Sequence, residues 1–419
     1  MPSDYSDGNP LETNDINMDD VAYCYFNPET AGGPKLLKVT HDKFHRLSHY
    51  VSSALLDLRK KDRMYLCLPL YYANTMFSGF GAVVLSGSSM FLSRDFSESK
   101  FISEIREYGA SWFAYSGSMC NSLMDQKVMI DDHENPITKC VGSGLRADIW
   151  VKFKQRYGID KVGEFYGADE GYGWFFNLLN KDKTVGFCTR NHMIAKYDFI
   201  ENRVVTGYGG WCRKSKKYET GVLLVEIDEE TFLNIDCDRN SKFVHNVLRR
   251  GDCYFNTGDL LRRVDVGFSF LLNHYEFVGR VEDYCRWKGA NISTIEVSGA
   301  IDSVDSVEYC CVYGVAIPGT NERAGMAAIV STDSELDLDG LSRHINENIP
   351  HYARPVFLRE LRGVGEKRTM RIESEVLKYE AFHPNSAGDP VFILRPGAEN
   401  YQLLDAELYQ DLISGVAKC

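Results

Sequence analysis

Twelve cysteines are spread along this 419-residue chain, yet no two form a Cys-x-x-Cys pair and none joins a histidine at zinc-finger spacing. Structural zinc modules of that kind are therefore excluded. Residues 1–20 are polar and acidic and lack the apolar core of a secretory leader. The expectation is a reducing compartment and free thiols. No apolar run is long enough to cross a bilayer, which takes about 18 to 20 residues. The most apolar stretch, "FSGFGAVVLSGSSMFL" (77–92), is rich in Gly and Ser and reads as a buried helix, turn and strand. There is no Gly-x-Ser-x-Gly elbow for a nucleophilic serine. A basic excess is also missing. The net charge of -12 argues against a general nucleic-acid binder, so an anionic ligand must be held by local donors. His41, His45 and His49 fall four apart on one helical face, a spacing able to bind metal or to face solvent.

The charged fraction of 25% and hydrophobic fraction of 44% are those of a globular chain with room for two or three domains. An acidic flexible arm is expected at 1–20. From 21 the sequence alternates strand and helix. "MYLCLPL", "ASWFAYSG", "KCVGSGL" and "DKVGEFYG" read as buried strands. "SESKFISEIREYG" reads as a helix capped by Ser97 or Ser99 and stopped by Gly109, and "ADIWVKFKQRYG" as another. Repeated βαβ units imply an α/β fold with a parallel sheet. From about 185 the helices thin out into a β-rich subdomain that ends near 279. Residues 280–400 read as a small α+β domain, and 401–419 as a C-terminal tail.

Several stretches are able to carry chemistry. Thr257-Gly258-Asp259 is either a plain hairpin turn or a carboxylate presented to a sugar diol. Gly142 and Gly144, in "GSGLRADIW", lie between a strand and a helix. There they give either a close-packed turn or a place where ligand meets backbone. "EFYGADEGYG" puts Tyr166, Gly167 and Glu170 at the carboxyl end of a strand, where ligands of open α/β sheets collect. Glu170 is either a magnesium ligand or part of an exposed turn. Arg280, followed by Glu282 and Asp283, is either a ribose or phosphate fork at a hinge or one member of a surface ion-pair cluster.

In order along the chain come "NPETAGGPK", "CLPLYY", "GSGLR", "EFYGADE", "NTGD", "GRVEDYCRWKGANISTIEV", "PGTNERAGMAA" and "IPHYARPVFLREL". This series resembles the fatty acid transport proteins, or very-long-chain acyl-CoA synthetases, of the adenylate-forming, AMP-binding superfamily, from residue 21 onward. The resemblance implies an adenylate-forming fold lacking much of its N-terminal sheet layer, and an adenylation domain over 21–279 with a mobile domain after it. It also implies ATP, Mg2+ and coenzyme A as cofactors, with fatty acid and CoA as partners and no nucleic acid. Thr30, Gly32 and Lys35 would hold phosphates. Gly142, Gly144, Tyr166 and Gly167 would line the adenine, Glu170 would bind Mg2+, and Asp259 and Arg280 would take the ribose. Trp287, Lys288 and Gly289 would lie toward CoA, and Arg371 would stand at the catalytic lysine position. The short front would leave an apolar face for a membrane or protein partner. An intracellular location would follow, cytoplasmic or peripheral on an endoplasmic reticulum or peroxisomal membrane.

The chain departs from the family pattern at telling positions. The family loop T-S-G-T-T-G-x-P-K has become Asn27-Pro28-Glu29-Thr30-Ala31-Gly32-Gly33-Pro34-Lys35. Pro28 lacks an amide donor. Glu29 adds a negative charge, and at about 4 Å from a phosphate the repulsion is on the order of 4 kcal/mol at an effective dielectric of 20. A phosphate-facing threonine has become Asp169, a histidine has become Tyr72, and Arg371 replaces a compact ammonium with a planar fork. These changes imply weakened adenylation, or binding of acyl chain, nucleotide or a protein partner without turnover. The combined substitution Glu29→Gly and Asp169→Thr should raise ATP affinity by two to three decades. Calorimetric titration with MgATP checks this, and unchanged affinity would place neither residue at a phosphate.

Overall fold

Hydrophobic runs of four to six residues, each followed by an amphipathic helix, generate the main sheet. The computed structural model describes residues 15–27, 35–72, 75–167, 173–199, 201–227, 242–318, 320, 323–332, 336–362, 377–384 and 388–417. Its largest sheet has six strands. In spatial order they are Ser89–Leu92, Arg63–Leu66, Trp112–Ser116, Lys139–Ser143, Lys161–Tyr166 and Phe175–Phe176. The first five are parallel and the last antiparallel. Parallel strands joined by helices are covered on both faces, which is why these segments carry apolar residues without alternation.

One face packs on Phe101, Trp150, Phe153 and Tyr157 from two helices, Phe101–Tyr108 and Trp150–Tyr157. Gly109 and Gly158 end these helices in the left-handed conformation, the role glycine plays at a helix C-terminus. Neither Ser97 nor Ser99 caps the first helix through its side chain. The chain enters through a turn, Lys100 occupies the cap, and the two hydroxyls face each other at 3.3 Å. The other face packs on Val51, Leu55 and Phe77 from the helical segments at 41–55 and 76–86, and on Leu56, which caps the first of them. The 77–92 stretch forms the expected helix, glycine turn and strand, but it is not buried throughout: Phe80, Val84, Leu85 and Leu92 are exposed.

A second sheet joins His192–Ala195, Thr220–Glu226, Phe243–His245, Cys253–Val264 and His274–Arg280, all antiparallel. A third contains Val307–Ala316, Arg323–Ser331, Phe357–Glu360, Val391–Ile393 and Gln402–Leu403, packed against helices Thr294–Asp302 and Leu338–Asn348. Residues 401–417 join this third core through buried Tyr401, Leu404 and Leu412. The hairpin Val21–Asn27 and Lys35–Thr40 brackets residues 28–34 and pairs Asn27 with Lys35.

Gly117 opens the helix Gly117–Asp125, and a Cβ there would lie 2.2 Å from the Gly144 carbonyl oxygen. The start of that helix and the turn after Lys139–Ser143 therefore touch through bare backbone. Gly117→Ala should destabilise the chain by about 1 to 3 kcal/mol, since neither side of the contact is a movable side chain. Urea unfolding of the variant measures this cost.

Candidate functional site

Strand register brings the glycine turn and the aromatic motif to one edge. Ser116 pairs with Ser143, and Gly142 with Glu164, so Gly142–Gly144 and Glu164–Gly167 emerge side by side at the carboxyl ends of parallel strands. A Cβ on Gly142 would lie 2.2 Å from the Tyr115 carbonyl oxygen, and Gly144 has φ +93°. Both positions need glycine for backbone reasons. Gly167 faces the Trp174 ring, which a Cβ would meet at 2.7 Å.

Glu164 holds this edge together, a role not assigned from the sequence. Its side chain is 2% exposed. The Gly144 amide donates to Oε1 at 2.6 Å, and Tyr115 hydrogen bonds to Oε2. Burial pushes the carboxyl up to about 8 against the opposing pull of Tyr115 and the Gly144 and Leu145 amides. An acid set between Val162, Phe165 and Tyr166 in a doubly covered strand was the available signal, since such a carboxylate must find buried partners.

The second sheet supplies the acceptor. Thr257-Gly258-Asp259 is not a hairpin turn. It lies inside the continuous strand Cys253–Val264, with Gly258 at φ +75°. Irregular register falls on either side, between Val222 and Leu224 in one ladder and between Leu260 and Leu261 in the other. Such bulges re-aim side chains within a sheet. Thr257 Oγ1 donates to the Leu223 carbonyl at 3.1 Å and accepts from the Asp259 amide at 3.0 Å. The Asp259 side chain is 8% exposed. Tyr166 donates its hydroxyl to Oδ2, and Arg280 Nε lies 3.2 Å from Oδ1. Asp259 and Arg280 are direct register partners. Burial and the Asp259 charge push the Tyr166 phenol well above its usual range, so it remains a donor. The Arg280 amide donates to Asp283 Oδ2 at 2.8 Å, and burial raises the Asp283 carboxyl.

Gly142, Gly144, Tyr166, Gly167, Asp259 and Arg280 thus form one constellation, and its donor set suits a nucleoside. The strand leading to Gly144 pairs with the one that ends at Tyr166, and the Tyr166 hydroxyl bonds to the buried Asp259 carboxylate, with the Arg280 guanidinium beside it. Thr30, Gly32, Asp169, Glu170 and Arg371 lie outside the described residues. Lys35 begins its strand, and only its backbone is described. Tyr72 is 43% exposed and packs against Tyr71. Trp287 belongs to the C-terminal core, while Lys288 and Gly289 form the two-residue turn of a hairpin, both at positive φ. The three histidines lie on helix His41–His49, where His45 and His49 stack at the surface. No metal-competent cluster occurs among the described residues.

Glu164 generates a pH signature. Its folded value lies above that of an unfolded glutamate, so its contribution to stability is full at acid pH and is lost as pH rises through about 8. Between about pH 5 and 8 the slope attributable to it is at most about 1.4 kcal/mol per pH unit. Glu164→Gln, which mimics the protonated form, should flatten that part of the profile in chemical unfolding across pH.

The AMP-binding enzyme family model matches residues 2–210. The chain is 33% identical to the medium/long-chain-fatty-acid–CoA ligase FadD6 of Mycobacterium tuberculosis, over 97% of this chain and 68% of that protein. It is 31% identical to long-chain fatty acid transport protein 1 of Mus musculus, over 95% of this chain and 62% of that protein. The chain thus spans about two thirds of the length of these relatives. Among solved structures, o-succinylbenzoate coenzyme A synthetase from Bacillus subtilis in complex with AMP superposes with TM-score 0.59 at 19% identity, covering 85% of this chain and 69% of that one. That likeness shows the adenylate-forming α/β fold. Sequence likeness and fold agree, and the chain belongs to the AMP-binding enzymes, among fatty-acid–CoA ligases and long-chain fatty acid transport proteins.

Proposed function

We propose that this chain is a fatty-acid–CoA ligase-type protein that binds ATP and a medium- or long-chain fatty acid, with an adenylation step weakened by its own substitutions. The observation that carries the reading is the buried Asp259 carboxylate, set between Arg280 and Tyr166, with Tyr166 ending the strand that pairs with the one leading to Gly144. In this reading Asp259 accepts hydrogen bonds from the ribose hydroxyls, and Arg280 steadies its charge and the neighbouring phosphate. Gly142, Gly144, Tyr166 and Gly167 admit the adenine. Thr30, Gly32 and Lys35 would hold the phosphates, and Glu170 would hold Mg2+, which would offset the phosphate charge.

The fatty carboxylate attacks the α-phosphorus and pyrophosphate leaves. The CoA thiol, deprotonated, then attacks the acyl carbonyl and AMP leaves, so the ATP cleavage drives thioester formation. Arg371 provides positive charge in the first step. Residues 280–400 serve as the mobile part, turning near Arg280 and Asp283 between the steps.

A second reading, binding of acyl chain and nucleotide without turnover, is favoured by the Pro28-Glu29, Asp169 and Arg371 substitutions together.

ATP–pyrophosphate exchange with saturated fatty acids of graded length tests the proposal. Slow but fatty-acid-dependent exchange is expected, and Asp259→Ala should lower it by about one to two decades through loss of a charged ribose acceptor. Nucleotide binding without exchange would establish the second reading. Absence of both would overturn the two together.

A further inference from the structure

The connection between strands Cys253–Val264 and His274–Arg280 reads "DVGFSFLLN". Its tip exposes Phe268 at 75%, Phe270 at 67% and Leu271 at 101%. The Leu272 amide donates to the Ser269 carbonyl at 2.9 Å, and Phe270 and Leu271 between them have φ +50° and +63°. Two consecutive positive φ values inside a closed four-residue turn are the mark of a type I′ turn, where Asn-Gly is the favoured pair. Phenylalanine and leucine are costly there and gain no burial in return. Local bonds nevertheless hold the tip together. Phe268 and Phe270 pack edge to face at 4.6 Å, Ser269 Oγ donates to the Leu272 carbonyl at 3.0 Å, and Gly267 donates to Asp265 at 3.0 Å.

Charge surrounds the apolar tip. Lys217, Arg263, Asp265, Ser269 and Leu271 line one shallow groove. Exposed Lys216 and Tyr218 border it, and the Tyr218 amide is bonded to the Arg263 carbonyl at 2.9 Å. Lys196 pairs with Glu219 and Arg262 with Glu276, so these cancel. Lys217 is likewise paired with Asp265, which leaves Lys216 and Arg263 as the net positive charge beside the tip, on a chain whose net charge is -12. The positive balance is therefore local to this end of the molecule.

We propose that the 266–272 tip is a membrane-insertion hairpin that docks on an anionic phospholipid surface. Phe268, Phe270, Leu271 and Leu272 enter the boundary between headgroups and acyl chains, and Lys216 and Arg263 meet the lipid phosphates. Aromatic and leucine side chains on one side with cations beside them is the composition that interfacial binding requires. This surface is separate from Asp259 and does not depend on the functional reading above.

The test is co-sedimentation of the full chain with vesicles of phosphatidylcholine, with and without phosphatidylserine. The parent should bind the phosphatidylserine vesicles, less tightly as salt rises, and the pure phosphatidylcholine vesicles weakly. Phe270→Asn with Leu271→Asn suits the left-handed backbone and should preserve or raise thermal stability while weakening binding by roughly tenfold or more. Lys216→Glu should remove the preference for phosphatidylserine and leave the melting temperature unchanged. The proposal is overturned if the parent does not bind anionic vesicles, or if the double variant binds them as the parent does. It is equally overturned if light scattering shows that the tip instead joins two copies of the chain, a dimer that the double variant dissolves.

Discussion

The carboxyl of Glu164 lies among three parallel strands with donors converging on it from Tyr115, Gly144 and Leu145. Much of the site is organised around this one group. It fixes the turn that follows Lys139–Ser143, and that turn rests on the backbone at Gly117. Its own strand runs two residues further to Tyr166, whose hydroxyl reaches across to Asp259. A buried acid held in this way is costly unless every partner is present. The partners come from sequence positions about twenty and fifty residues away, so the edge forms only when the whole sheet does.

The link from Tyr166 to Asp259 joins the parallel sheet to the second, antiparallel sheet. One continuous strand carries Asp259 and then turns through the exposed tip to return at Arg280. The carboxylate that the functional reading gives to ribose and the arginine beside it are therefore fixed by a single hairpin, and their spacing is a property of backbone register rather than of flexible side chains. The same hairpin carries at its far end the cluster of Phe and Leu residues.

The parallel sheet was legible because its strands are short apolar runs separated by helices with glycine stops at Gly109 and Gly158. The candidate site was legible as an ordered series of motifs. What the series did not disclose was how they meet. Thr257-Gly258-Asp259 looks like a turn because of its glycine, yet cross-strand pairing on both sides carries the ladder through it, and only the irregular register shows where the glycine is used. Ser97 and Ser99 have the right chemistry for a cap, but the entry turn places Lys100 there. Glu164 was hidden for a different reason: its apolar strand neighbours signal burial, but its partners are long-range and the strand itself does not say which groups it meets.

Loops that bear glycine usually open by local fluctuation, and their amides exchange with solvent long before the core does. The turn at Gly144 is tied differently. Its amide is held by a side chain rooted in the middle of the parallel sheet. Its hydrogen should exchange on the timescale of sheet opening rather than of loop motion, making this loop kinetically part of the core.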